Sequence, residues 1–185
     1  MRHNTRVFVG SSLEPEKGGT WITKGNDAAP ALRALAVLEK LEQLNITDLN
    51  LFPSKDFGHK VTQILYDAKV PYDFMNYSGR VINVLVHKGE VDRFGKKSKD
   101  QYAEAIKEIS KFAKVEKFVD VALLSVIGNR MDECPEHIAK ILANFYTHSI
   151  RILQMGGCPN SLSLLVHSGS KMEGLKVLYS FLDPV

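Results

Sequence analysis

The sequence predicts an α+β chain built from two copies of one β-α-β-β-α unit, the first nested within the second. Three observations predict it. The run Val84-Leu85-Val86-His87-Lys88-Gly89 resembles Leu164-Leu165-Val166-His167-Ser168-Gly169, and the two histidines lie 80 residues apart. Upstream of each run, apolar residues recur at i, i+3, i+4 and i+7, as Val61, Ile64, Leu65, Ala68 and as Ile138, Ile141, Leu142, Phe145. Such a stripe lies on one face of a helix and packs against a core. Strand-like segments also surround each stripe in the same order. The stripes are offset by 77 residues rather than 80, which predicts a small loop-length difference between the copies.

Each copy opens with an apolar strand, over 44–49 and over 121–127. A loop leads into the striped helix, and Pro135 suits the first turn of the second one because its missing N–H is not needed there. Two strands follow, over 72–77 and 80–87 in the first copy and over 150–155 and 161–166 in the second. Ser78-Gly79 and the run Gly156-Gly157-Cys158-Pro159-Asn160 read as the turns between them. A second helix is marked by Tyr102, Ile106, Ile109 and Ala113, and by Leu175, Leu178 and Leu182. This order is that of a ferredoxin-like half-sandwich, an antiparallel sheet with helices on one face. Residues 114–119 supply the fourth strand of the first copy. The second copy has no strand left after its last helix, so its fourth strand is expected from 31–38, ahead of the first copy.

Composition narrows the function. The chain has 185 residues, 44% hydrophobic and 24% charged, as in soluble globular proteins. A net charge of +3 and one short basic run, Lys96-Lys97-Ser98-Lys99, are too weak for a nucleic-acid surface. No apolar run approaches a membrane span, and the first residues lack a signal-peptide core. Cys134 and Cys158 form no CxxC pair, and the six histidines lack metal-ligand spacing. A cytoplasmic protein without a metal is expected. Asp56-Phe57-Gly58 spells a protein-kinase triplet but lacks that family's other signatures. His87 and His167 sit at equivalent strand ends and read as structural or exposed.

Further motifs carry a resemblance. Arg6-Val7-Phe8-Val9-Gly10-Ser11-Ser12, then Glu14-Pro15 and Gly18-Gly19-Thr20, resembles the junction that closes the kinase domain of lysine-sensitive aspartokinases. Leu32-Arg33-Ala34-Leu35-Ala36 resembles the strand with which that family completes its second ACT unit. Leu49-Asn50-Leu51 and Ser54-Lys55-Asp56-Phe57 resemble its loop into the first regulatory helix, and the segment 121–129 its next opening strand. The resemblance runs from about Arg6 to Leu182.

It implies tandem ACT domains, the C-terminal regulatory region of an aspartate kinase. Residues 1–30 are then the end of the kinase domain and the junction, 40–120 the first ACT domain, and 31–39 with 121–185 the second. The kinase active site is missing, so no catalytic residue is assigned and the chain alone is expected to be inactive. The parent enzyme would transfer the ATP γ-phosphate to L-aspartate, with ATP and Mg expected only in that kinase domain and no cofactor in this chain. Met1 is expected to be an internal methionine or a fragment boundary. Implied partners are an amino-acid effector (lysine, or threonine), a homodimer mate through the ACT domains, and the kinase domain of the same protein.

The same resemblance places the effector site on Ser54, Phe57, Asp73 and Ser78. Asp73 would hold the effector ammonium, while helix N–H groups in the loop would hold its carboxylate. Each residue also has an ordinary structural role. Ser54 suits a helix N-cap, Phe57 a core, Asp73 an exposed strand position and Ser78 a turn. Four positions depart from the family pattern: Asp56 replaces glycine, Gly58 an apolar residue, Tyr77 a threonine and Gly79 a glutamate. Two alternatives stand beside the regulatory reading, a dimerisation module without effector binding and a free-standing sensor acting in trans.

Overall fold

Alternation of apolar and polar residues over a long stretch gives β3, Leu32–Asp48, a strand that belongs to both halves of the molecule. The structure is a computed structural model and describes residues 6–14, 16, 18–22, 32–50, 55–133 and 135–182. Ahead of β3, a hairpin of β1 (Val7–Gly10) and β2 (Gly19–Ile22) forms a sheet of its own. After β3 come α1 (Phe57–Asp67), β4 (Tyr72–Ser78), β5 (Val81–Val86), α2 (Lys88–Arg93) and α3 (Lys96–Ile109). Then follow β6 (Ala113–Gly128), α4 (Pro135–Thr147), β7 (Ile152–Cys158), β8 (Ser161–His167) and α5 (Lys171–Tyr179).

The main sheet has six strands in the order β4-β5-β3-β6-β8-β7, and every pairing is antiparallel. The last part of β3 pairs with β5 and with the start of β6, which closes the first ferredoxin-like unit. The first part of β3 pairs with the end of β6, from Leu32–Gly128 to Leu38–Leu123, and closes the second. The first unit is thereby nested in the second. The four strands expected at 31–38, 44–49, 114–119 and 121–127 are two continuous ones.

Both long strands change register where they pass between units, around Leu38–Leu41 and Leu41–Gln43 of β3. Lys40 and Asp120 sit there with φ 56° each. A bulge of this kind adds one residue and shifts the alternation of faces. In β3 the core-facing positions accordingly move from Leu35 and Val37 to Leu44 and Ile46. In β6 they move from Ala113 and Val115 to Leu124 and Val126. Both apolar rows therefore stay under the helices.

From the opening strand through the strand pair the duplication keeps an offset of 80 residues, while the second helices, α3 and α5, start 75 residues apart because α2 intervenes in the first unit. Positive φ recurs at Lys40 and Asp120 and again at Lys69 and Ser149. The fully buried helix residues Val61 and Leu65 correspond to Ile141 and Phe145. The loop-length difference expected from a 77-residue offset is absent. A stripe at i, i+3, i+4, i+7 overlaps itself when slid by three residues, so periodicity alone misaligns it by one turn.

Three apolar clusters hold the molecule together. One lies between α1, α3 and the sheet of the first unit, and its counterpart lies beneath α4 and α5. The third, with Leu41, Leu85, Val121, Leu123 and Leu165 buried, lies on the face without helices. There the sheet curls so that its edge strands approach. Gln43 Nε2 donates to Gln154 Oε1 at 3.0 Å, and the Phe74 ring of β4 rests on the backbone of Gly156 in β7. The run 156–158 is therefore strand rather than turn.

Tyr102 of α3 donates its hydroxyl to Glu42 of β3 at 2.5 Å, both residues being buried. Lys117 of β6 lies 3.5 Å from the same carboxylate and 5.0 Å from the ring centroid. Burial, then the Glu42 hydrogen bond and charge, push the Tyr102 phenol far above its ordinary value. Its folded pKa is raised, so the stability it contributes is present below the unfolded value of about 10 and is lost as pH rises beyond it. Urea unfolding from pH 8 to 11 should fall more steeply for the wild type than for Tyr102→Phe, and parallel curves would refute this.

Candidate effector site on the first unit

The implied site lies where β3 ends, α1 begins and β4 runs alongside. Asp48, the last residue of β3, is buried and fixes the start of the loop. Its Oδ1 accepts from the backbone N and the Nδ2 of Asn50, each at 2.9 Å. Arg80, in the turn after β4, receives the Asp48 N–H on its carbonyl and donates from Nη2 to the Asp48 carbonyl at 2.7 Å. Sequence reasoning missed this clasp, because an aspartate at a strand end gives no periodic signal.

Ser54 lies outside the described residues. The N-cap position belongs to Asp56, whose backbone carbonyl accepts from Lys60 N at 2.9 Å. The Asp56 carboxylate makes no cap bond and pairs with Lys60 at 2.6 Å, and that contact holds its carboxyl below the usual range. Phe57, the first residue of α1, is 1% exposed. Its ring meets Phe112 edge-on at 6.2 Å and Tyr77 at 6.5 Å. Gly58 leaves room for the Tyr77 ring, which lies 3.8 Å from the place a Cβ would take.

Asp73 and Ser78 lie on β4, whose outer edge is unpaired among the described residues. Ser78 is exposed beside a turn in which Gly79 has φ 60°, a conformation glycine adopts without cost. Asp73 is the extra residue of a bulge between Tyr72 and Phe74. Its carboxylate, 39% exposed, is 2.8 Å from Nε2 of His87 at the end of β5. His87, read from sequence as structural or exposed, is thus the direct partner of the proposed ammonium ligand.

Within one chain these residues form two groups. Phe57 and Tyr77 meet at the N-terminal end of α1, and Ser78 is the next residue of β4. Asp73 and His87 lie at the other end of β4, five residues away, or roughly 17 Å at about 3.4 Å per residue. Among the described residues no group of His, Cys, Asp and Glu is arranged to hold a metal, and no helix is long and apolar enough to cross a membrane.

Over 180 residues the chain is 25% identical to lysine-sensitive aspartokinase 3 of Escherichia coli (strain K12), a match covering 97% of this chain. The chain is similar to the C-terminal regulatory region of aspartokinases. It spans 40% of the length of that relative. The E. coli aspartokinase III structure with lysine and aspartate (T-state) superposes with a TM-score of 0.79 at 26% identity, over 99% of this chain and 40% of that one. The ligand-free regulatory subunit of aspartate kinase from Thermus thermophilus shares the fold, with a TM-score of 0.68 at 15% identity. That match covers 84% of this chain and 100% of the subunit, so the aspartokinase regulatory fold accounts for most of the molecule. No family model matches the chain.

Proposed function

We propose that this chain is the regulatory amino-acid-binding module of an aspartate kinase and gives allosteric feedback control, by lysine, of aspartate phosphorylation in the cytoplasm. The observation that carries this is the likeness along 97% of the chain to a lysine-sensitive aspartokinase. The tandem ACT fold and an acidic residue on an open edge strand support it.

The two separated groups on β4 become one site if two chains pair. An antiparallel pairing of β4 strands about Met75 sets Asp73 of one chain opposite the partner's Tyr77, beside the helix N-terminus. Such pairing also covers an exposed sheet edge. The effector ammonium would replace His87 on Asp73, and its carboxylate would meet helix N–H groups and serine hydroxyls. Lysine would then favour one dimer arrangement, with a coupling of about 1–3 kcal/mol typical of such systems. The kinase domain would receive it through residues 1–30, where the β1–β2 hairpin exposes Phe8 and Trp21, in ring contact at 5.1 Å. The parent protein would then be an ATP- and Mg-dependent aspartate kinase whose active site lies in that domain.

A dimerisation module without an effector is the second reading. The Asp73–His87 pair and Gly79 in place of a glutamate favour it. Melting temperatures measured with each of the twenty amino acids separate the two. A ligand at 100 times its dissociation constant adds about 2.7 kcal/mol to the native state. A concentration-dependent rise with lysine is expected. A dimer that responds to no amino acid would leave the second reading.

A further inference from the structure

The second unit contains a cavity of about 370 Å³. Met131, Ile138, Met155, Pro159 and Leu162 wall it, with the backbone of Gly157. The described lining residues carry no charge. The polar side chains there are those of Cys158 and Ser161, 3.3 Å from each other.

The 80-residue offset over this part of the repeat explains why the space exists. Gly157 is the counterpart of Tyr77, and Ile138 the counterpart of Gly58. In the first unit the Tyr77 ring lies on Gly58 and against Phe57. In the second unit the strand supplies no side chain at that place. It cannot supply one, because a Cβ on Gly157 would lie 2.6 Å from the Ser161 carbonyl oxygen. Ile138 adds volume from the helix side, yet a ring-sized space remains.

We propose that this cavity is a ligand site for a small molecule bearing a phenyl or phenol ring, which takes the place the Tyr77 ring occupies in the first unit. Apolar walls, with no charged group among the described lining residues, select an uncharged ring over a lysine side chain. The floor is thin. On the other face of β7, the Phe74 ring of the first unit touches Gly156, so an occupant would bear on the strand that carries Asp73. The site stands independently of the lysine reading, since it uses neither Asp73 nor the α1 loop.

The test is ligand-observed NMR on the whole chain, with phenol and L-phenylalanine as probes. Both should bind at about millimolar concentration, as expected for molecules of this size, and each should displace the other. Ile138→Trp, which fills the space, should weaken phenol at least tenfold. Met155→Trp is the second filling variant, in case the first does not fold. Absence of phenol binding, or equal binding in a folded filling variant, would overturn the proposal. So would self-association that Ile138→Trp abolishes while phenol does not bind, since a side chain of a second copy would then be the occupant.

Discussion

Phe57→Ala should cost about 3–5 kcal/mol of folding stability, the range for deleting a fully buried phenylalanine. The ring is 1% exposed and closes the open end of the first unit's core between Phe112 and Tyr77. Its loss leaves a cavity at the first turn of α1, where helical hydrogen bonds alone cannot hold the backbone. Phe57→Leu should recover a large part of the loss. Urea unfolding measures it, with a lower midpoint expected for the alanine variant. A stable Phe57→Ala chain that no longer binds effector would instead make Phe57 a ligand-contacting residue.

Gly156→Val should cost about 1–3 kcal/mol, the range for overpacking. Taken by propensity alone, valine is favoured over glycine in a strand, so the sign of this prediction comes from packing. A Cβ on Gly156 would lie 2.2 Å from two carbons of the Phe74 ring, so the ring must leave its place against Leu85 and Leu165. The contact joins the edge strands of the two units, and its loss should loosen the curl of the sheet. In a Phe74→Ala background the same valine should be neutral or stabilising. A double-mutant cycle reads this coupling directly. Additive effects of the two substitutions would show that the units do not meet there.

Periodicity and repetition made the fold class legible. Matching histidines, two apolar stripes and strand pairs in the same order were enough for two nested ferredoxin-like units. The fusion of the outer and inner strands was not legible, because Lys40 and Asp120 interrupt the alternation and read as breaks. The correct helix alignment was hidden by the three-residue degeneracy of a helical stripe. Gly156 and Gly157 read as a turn, whereas one accommodates Phe74 and the other a neighbouring carbonyl. The short helix α2 was also missed, since six residues with a single buried one, Val91, give no stripe.

The candidate site was legible only through resemblance. No spacing rule connects Asp73 to His87, fourteen positions on, which a bulge and a hairpin bring to 2.8 Å. Nor does one connect Tyr77 to Phe57. Such contacts arise from tertiary packing between elements whose individual signals concern only their own faces.

The central claim is that Asp73 holds the ammonium of an amino-acid effector. The most direct test titrates lysine by calorimetry into the wild type, Asp73→Asn and His87→Ala. Saturable binding is expected in the wild type, at least tenfold weaker in Asp73→Asn, because the ammonium loses its ionic partner. His87→Ala should bind as tightly as the wild type or more so, since it frees the carboxylate. Equal lysine affinity in the wild type and Asp73→Asn would contradict the claim. So would an equal loss in His87→Ala, which would trace the effect to the Asp73–His87 contact rather than to the ligand.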